Sequence, residues 1–507
     1  MLRRNSIFLL AVLAIWGAFA CGADKPRQPG VAGTFYPANP DDLKTMVDGF
    51  LAKAQVAATS DPLIALIAPH AGYPYSGGVA AFSYAALRGR AYRRVVIIAP
   101  SHYEAFGFSS VYDGDAYVTP LGRVPVDKEF AAKLAGANST IHLSSRGHER
   151  SGEQAEHALE VQLPFLQRTL TQFQIVPIIM GDQSYQASRA LGVALAKLIR
   201  TSDTLIVASS DLSHYHPYDE ASRIDHNTVS AIGVWDYYDL SRNLQSRVWE
   251  ACGGAPIVSA MIAAERLGAN RAELLKYANS GDVTGDRSRV VGYSAFALYK
   301  SAAASTATTA FSLTAKEKQE LLSVARASAE TVVRERKQYH PPAASGTLLE
   351  DRGAFVTITK NGDLRGCIGY IAPMEPLLET VRDVAGFAAS RDPRFPPVTP
   401  AELSELHYEV SVLSPVRRVL DLKEIQVGKH GLLMKNGDHE GVLLPQVAVD
   451  EGWDRKTFLE QTARKAGLPA SAWKDDDTDI FLFSAVVFGE TRLQGTTPEA
   501  APSVKRP

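Results

Sequence analysis

The chain has 507 residues, too many for one ordinary domain, and its composition, 46% hydrophobic and 21% charged, is that of a globular protein. Its 53 Lys and Arg are offset by 55 Asp and Glu, for a formal net charge of -2. Without a basic stripe, nucleic acid is excluded as the expected partner.

In chain order, residues 1–21 read as an export signal. Arg3 and Arg4 supply a positive start, and Ile7 to Ala20 form an apolar run too short to span a bilayer comfortably. Two processing readings compete. Ala18-Phe19-Ala20 suits a general signal peptidase, whereas Cys21 directly after it suits lipidation, the reading favoured here because the chain has only 3 cysteines. The expectation is an exported protein, periplasmic or held at the membrane only by a lipid anchor.

From Leu63 to Ala208, short apolar runs alternate with helical patterns. Leu63 to Ala68, Val95 to Ala99, Gln174 to Ile179 and Leu205 to Ala208 read as buried strands, and Asp127 to Ala135 and Ser188 to Ile199 as helices. Repeated β-then-α order predicts an α/β domain with a mainly parallel sheet, over residues 28–300. The small-residue stretch 301–312 (SAAASTATTAFS) reads as a linker. Beyond it, the amphipathic helix Ala315 to Arg336 and strand-like Gly353 to Lys360 and Glu409 to Leu413 predict a smaller α+β domain over 313–492. Residues 493–507 read as a disordered tail.

Functional groups of open α/β sheets gather beyond the carboxyl ends of strands. Three predicted strands run directly into such groups: the first into Pro69-His70-Ala71-Gly72-Tyr73, the second into Pro100-Ser101-His102-Tyr103, the last into Ser209-Ser210-Asp211-Leu212-Ser213-His214. His157, in Glu156-His157-Ala158-Leu159-Glu160, is expected to begin a helix. Cys252, before Gly253 and Gly254, reads either as a soft ligand or as a small buried hydrophobe. Two imidazoles and a thiolate would leave coordination positions open on a divalent metal, and iron, copper and zinc all accept this set; the sulfur disfavours magnesium and calcium. His157, Asp211 and His214 are then the expected catalytic groups, orienting ligands or moving protons. His142, His148, His216 and His226 read as solvent-facing. Cys252 and Cys367 lie on opposite sides of the domain boundary and read as unpaired.

Residues Gln28 to Tyr299 resemble the Memo family, also called AmmeMemoRadiSam system protein B. The resemblance is carried by Val31-Ala32-Gly33-Thr34-Phe35-Tyr36-Pro37, the PHAGY and PSHY motifs, EHALEVQLPFL, SSDLSHY and Cys252-Gly253. It implies a fold similar to class III extradiol dioxygenases, with His70, His102 and Cys252 as metal ligands and His214 near the dioxygenase acid-base histidine. In those dioxygenases the third ligand is a carboxylate; here the position falls to Cys252. Residues Leu313 to Arg492 resemble the AMMECR1 family, or system protein A, through Leu364-Arg365-Gly366-Cys367-Ile368-Gly369, Ser390-Arg391-Asp392-Pro393-Arg394-Phe395, His430-Gly431-Leu432 and Leu443-Leu444-Pro445-Gln446-Val447. There Arg365 and Cys367 are expected either to face a pocket lined by Arg391 and Arg394 or to form a structural turn. The family name implies a radical SAM protein as partner. Metal-dependent redox or dioxygenase-like chemistry on an unknown small molecule is the leading functional expectation. The alternative is a non-catalytic module that binds metal or peptide, or handles metal, and docks partners through its second domain.

Overall fold

The computed structural model describes residues 26–149, 155–302, 312–343, 345–371 and 375–490. The export signal with Cys21, most of the linker and the predicted tail lie outside the described residues. No helix among the described residues is long and apolar enough to cross a membrane.

The first domain is built on a nine-stranded sheet. Its centre is four parallel strands, β1 (Leu63–Ala68), β2 (Arg94–Pro100), β3 (Gln174–Met180) and β4 (Thr204–Ser209), in the spatial order β1-β4-β2-β3. Each matches a predicted run to within a residue at either end. They read as unbroken apolar runs because both faces are covered: Val96 and Ile98 of β2 join the core on one face, Val95, Ile97 and Ala99 that on the other. The flanks are antiparallel. β5 (Val290–Tyr299) pairs with β1, and Ser109–Val111 pairs with β3. Helix α1 (Tyr73–Ala85) follows β1. Helix α2 (Tyr185–Leu198) starts before the predicted Ser188, because the Ser184 hydroxyl accepts from the Ala187 amide and caps it. Helix α3 (Gly254–Arg266) is almost wholly buried.

The second domain opens with α4 (Ala315–Glu335), fixed at its start by a reciprocal capping box between Thr314 and Glu317. A seven-stranded sheet follows, with β6 (Ala354–Lys360), β7 (Asp363–Tyr370), β8 (Leu406–Leu413), β9 (His430–Asn436) and β10 (Asp479–Gly489) in the order β7-β6-β8-β10-β9. Helix α5 (Leu377–Ser390) joins α4 in covering it.

Length alone suggested independent cores, and each domain has buried clusters of its own, but the two also share one. Leu413, Val416, Leu433, Phe481 and Phe483 pack in the same buried cluster as Tyr185, Tyr237 and Tyr238 of the first domain. Beside it, buried Asp479 takes charge-assisted bonds from Arg189, Arg266 and Arg418 and a hydrogen bond from the Tyr185 hydroxyl. A buried carboxylate surrounded by guanidinium groups is compensated, whereas removing them would strand it.

Candidate metal centre

The spatial order of the sheet explains why distant motifs meet. β4 lies between β1 and β2, so the loops leaving the three carboxyl ends emerge side by side, about 4.8 Å apart per strand. His70 follows β1, His102 follows β2, and Ser209 to His214 follow β4. Cys252 arrives from the start of α3. Gly253 is required there: a Cβ at that position would stand 2.1 Å from the Ser209 carbonyl oxygen.

One ligand atom each from His70, His102 and Cys252 lie within 4.8 Å of one another. Ligands at about 2.0–2.3 Å from one ion span up to roughly 4.6 Å, so the trio is of the right size to grip a single cation. Its hydrogen bonds also orient the lone pairs. The Ser209 hydroxyl donates to the Ala158 carbonyl, 2.6 Å, and accepts from the Gln162 amide, 2.7 Å. Its single proton being spent, it accepts from His70 Nδ1, 2.9 Å, which makes His70 the Nδ1–H tautomer with a bare Nε2. That Nε2 is 3.0 Å from Cys252 Sγ.

His102 is set likewise by Glu156. One carboxylate oxygen accepts the His102 amide, 2.7 Å, and the other its Nδ1, 2.9 Å, leaving Nε2 free. Burial would raise the Glu156 carboxyl, but the bond and charge of His102 hold it below its ordinary value. Reciprocally, burial would lower His102, and Glu156 raises it instead.

Asp211 sits beneath the cluster and accepts the backbone amides of His70, 2.8 Å, and Ala71, 3.3 Å. Burial pushes its carboxyl up to about 6 against these bonds. Burial, then the Asp211 charge, push the Cys252 thiol up. A cation would reverse that, since coordinated thiols deprotonate. His214 donates from Nδ1 to the Leu212 carbonyl, 2.8 Å, which in the neutral imidazole leaves the lone pair on Nε2.

His70, His102, Asp211 and His214 line one cleft of about 690 Å³, walled by Phe35, Tyr75, Tyr103, Tyr215 and Tyr293. Tyr215, directly after His214, holds φ +65°, a left-handed conformation unusual for an aromatic residue. His157 enters the same cleft, stacked on the His102 ring at 4.7 Å between centroids. Burial, then His102, bring its imidazole down to about 4. The sequence reading has His157 begin a helix, and the structure corrects this. The Glu156 side chain caps the Ala158 amide, and helix starts only at Glu160, in a 3₁₀ turn before Leu163–Thr169.

All six residues singled out in the sequence therefore converge. The ones missed are Glu156, Ser209 and Gln162, which orient His70 and His102; Glu156 adjoins His157, and only its neighbour drew attention. Glu160 is also distinct in role: wholly buried, it binds Arg27 at 2.5 Å and accepts from the Gly30 and Val31 amides, tying the first described segment beneath the site. His148, expected at the surface, is fully buried, between the Tyr117 hydroxyl and the Ser110 carbonyl. His142 and His226 are exposed, whereas His216 is half-buried and binds Glu250.

In the second domain Arg365 and Arg394 do not face a common pocket. Arg365 is engaged by Glu402 and the Pro396 carbonyl, and Arg394 by Asp392. Gly366 permits α5 to lie against β7, where a Cβ would come 2.2 Å from the Ala388 carbonyl oxygen. Cys252 and Cys367 are both free thiols.

Residues 27–297 match the family model described as Memo-like protein, and residues 322–488 that described as AMMECR1. A MEMO1 family protein of Methanosarcina mazei is 39% identical over 276 residues, 53% of this chain and 97% of its own length. One from Nitrosopumilus maritimus is 36% identical over 274 residues, 53% of this chain and 98% of its own. Among solved structures, an uncharacterized protein from Pyrococcus horikoshii shares 38% identity over 36% of this chain and 94% of that one, with a TM-score of 0.34.

Proposed function

This chain belongs to the Memo-like protein family and carries an AMMECR1 domain behind its Memo domain, and we propose that it is a metal-dependent redox enzyme with dioxygenase-like chemistry on a small chelating substrate. The supporting observation is the donor set: His70 Nε2, left free by a protonated Nδ1, lies 3.0 Å from the Cys252 sulfur, and one ligand atom each of His70, His102 and Cys252 lie within 4.8 Å of one another. Three protein ligands leave positions for other molecules, as in catalytic rather than closed sites. Iron, or copper, held there would supply Lewis acidity and one-electron chemistry.

The chain's own groups do the rest. Asp211 holds the His70 loop in place through two amides, and Glu156 fixes the His102 ring. His214 Nε2, with its lone pair toward the cleft, is placed to take a proton from an acidic hydroxyl such as that of a catechol. The aromatic walls suit a flat ligand.

The test is to purify the protein anaerobically, quantify iron, copper and zinc, and supply catechols with oxygen. About one metal per chain and turnover lost in His214→Ala are the expected results. Metal at that stoichiometry with no turnover of any catechol would sink the enzymatic reading and leave metal binding or metal handling. Export belongs to the same reading, resting on Arg3, Arg4, the apolar run and Cys21. The mass of the N-terminal peptide from cells distinguishes a lipidated Cys21 from simple cleavage.

A further inference from the structure

Away from the metal centre, the second domain carries a cleft of about 950 Å³ between the carboxyl ends of α4 and α5. Arg334, Arg336, Lys337 and Arg391 line it. Several arginines elsewhere in this domain are neutralised, Arg326 by Glu490, Arg365 by Glu402, Arg394 by Asp392 and Arg417 by Glu424, whereas Arg455 binds a carbonyl, that of Ile425. None of the four cleft cations has a carboxylate partner among the described residues. Arg382, also in the cleft, is paired with Glu379 and Asp383, and Asp383 takes a further bond from Gln338, 2.9 Å. Glu335, in the last turn of α4, is not among the lining residues.

Cations are favoured at helix carboxyl ends, and that ordinary effect accounts for part of this arrangement. Each helix end presents about half a negative charge, so two ends offset about one of four positive charges. An excess of roughly three remains in a concave site, where like charges repel unless an anion neutralises them. The lining also has an apolar part, Phe387, Val332 and Val333, and the Arg391 guanidinium lies over the Phe387 ring at 4.7 Å. The volume is that of a small-molecule site rather than a flat docking face.

We propose that this cleft binds a small organic ligand carrying two or more phosphate groups, an organic diphosphate, with its phosphates among Arg334, Arg336, Lys337 and Arg391. The planar or apolar body of the ligand rests on Phe387. Guanidinium groups bind phosphate oxygens in forked, charge-assisted pairs, and several together discriminate a diphosphate from a single phosphate.

The test is titration calorimetry of the full chain with adenosine diphosphate, inorganic pyrophosphate and orthophosphate at low salt. Adenosine diphosphate is expected to bind at least about tenfold more tightly than orthophosphate. Arg391→Gln and Lys337→Gln should each weaken it about tenfold, while Lys456→Gln, paired with Glu460 on a separate helix, leaves it unchanged. Circular dichroism and metal content equal to the parent protein keep the variants interpretable. Absence of heat from both diphosphates at about 1 mM overturns the proposal. Binding only to a single-stranded RNA or to vesicles of anionic phospholipid, with no response to the small diphosphates, overturns it equally, since the recognised object is then a polymer or a surface.

Discussion

Two glycine-flanked cysteines, Cys252 and Cys367, look alike in sequence and are built into opposite kinds of surroundings. Around Cys252 the neighbouring hydrogen bonds leave donor capacity over: Ser209 and Glu156 each accept from a histidine Nδ1, and the bare His70 Nε2 lies 3.0 Å from the sulfur. Around Cys367 the backbone is engaged on both sides and the free thiol accepts from the Thr357 hydroxyl at 3.4 Å, with no histidine beside it among these bonds. β7 is an edge strand, and the Cys367 amide donates to Asp392 at 2.8 Å while its carbonyl accepts from Arg394 at 3.1 Å. The RGCIG and RDPRF motifs thus close an open sheet edge, with Arg394 holding the Asp392 carboxyl well below its usual range. A motif of reactive residue types becomes a site where its capacity is unspent and becomes scaffold where it is consumed.

The largest effect that separates the two is on bound metal. Cys252→Ala should reduce metal from about one per chain to near zero, and Cys367→Ala should leave it unchanged, as read by elemental analysis of the two variants beside the parent. Equal metal in all three proteins would mean that the thiol of Cys252 is only a buried group. A smaller effect comes from the carboxylate behind His102. Glu156→Gln keeps the shape but loses the charge that makes the imidazole a better ligand, so affinity should fall about 10–100-fold, measured by competition with a chelator. Unaltered affinity would show that the Glu156 bond orients His102 without tuning it.

Much of this was readable before any coordinates. The four central strands and the histidines after strand ends follow from apolar runs and their punctuation, which are local properties of the chain. The partners were not readable, because they are set by which strands lie side by side. Nothing near Ser209 in sequence says that β4 sits between β1 and β2 and brings that hydroxyl under His70. The same limit explains His148, whose polar neighbours in Arg146-Gly147-His148-Glu149 suggest a surface loop; its burial depends on Tyr117 and Arg27, far away along the chain. Shared burial between the domains was hidden likewise, since the residues on both sides read as ordinary core of their own half.

His148 gives the smallest and most specific prediction, because it is a spent histidine inside the metal-binding domain. Its Nε2 lies 3.0 Å from the Ser110 carbonyl, which can only accept, so Nε2 carries the proton and Nδ1 accepts from the Tyr117 hydroxyl at 2.5 Å. A second proton has nowhere to go without breaking that bond, and burial brings the imidazole down to about 3 from its ordinary 6.5. Between those values the unfolded chain holds a proton that the folded chain refuses. The contribution of His148 is therefore complete above pH 6.5 and is lost as pH falls toward 3. At about pH 5 the loss amounts to roughly 2 kcal/mol, at 1.36 kcal/mol per pH unit. His70 and His157, also lowered by burial, act in the same direction in parent and variant alike, so the difference between the two proteins isolates His148. Urea unfolding of chelator-treated protein at pH 7 and pH 5 should show the parent losing about 2 kcal/mol more than His148→Gln. An identical pH dependence in the two proteins would mean that the folded chain accommodates the imidazolium, and that the Tyr117 bond is not the fixed contact described above.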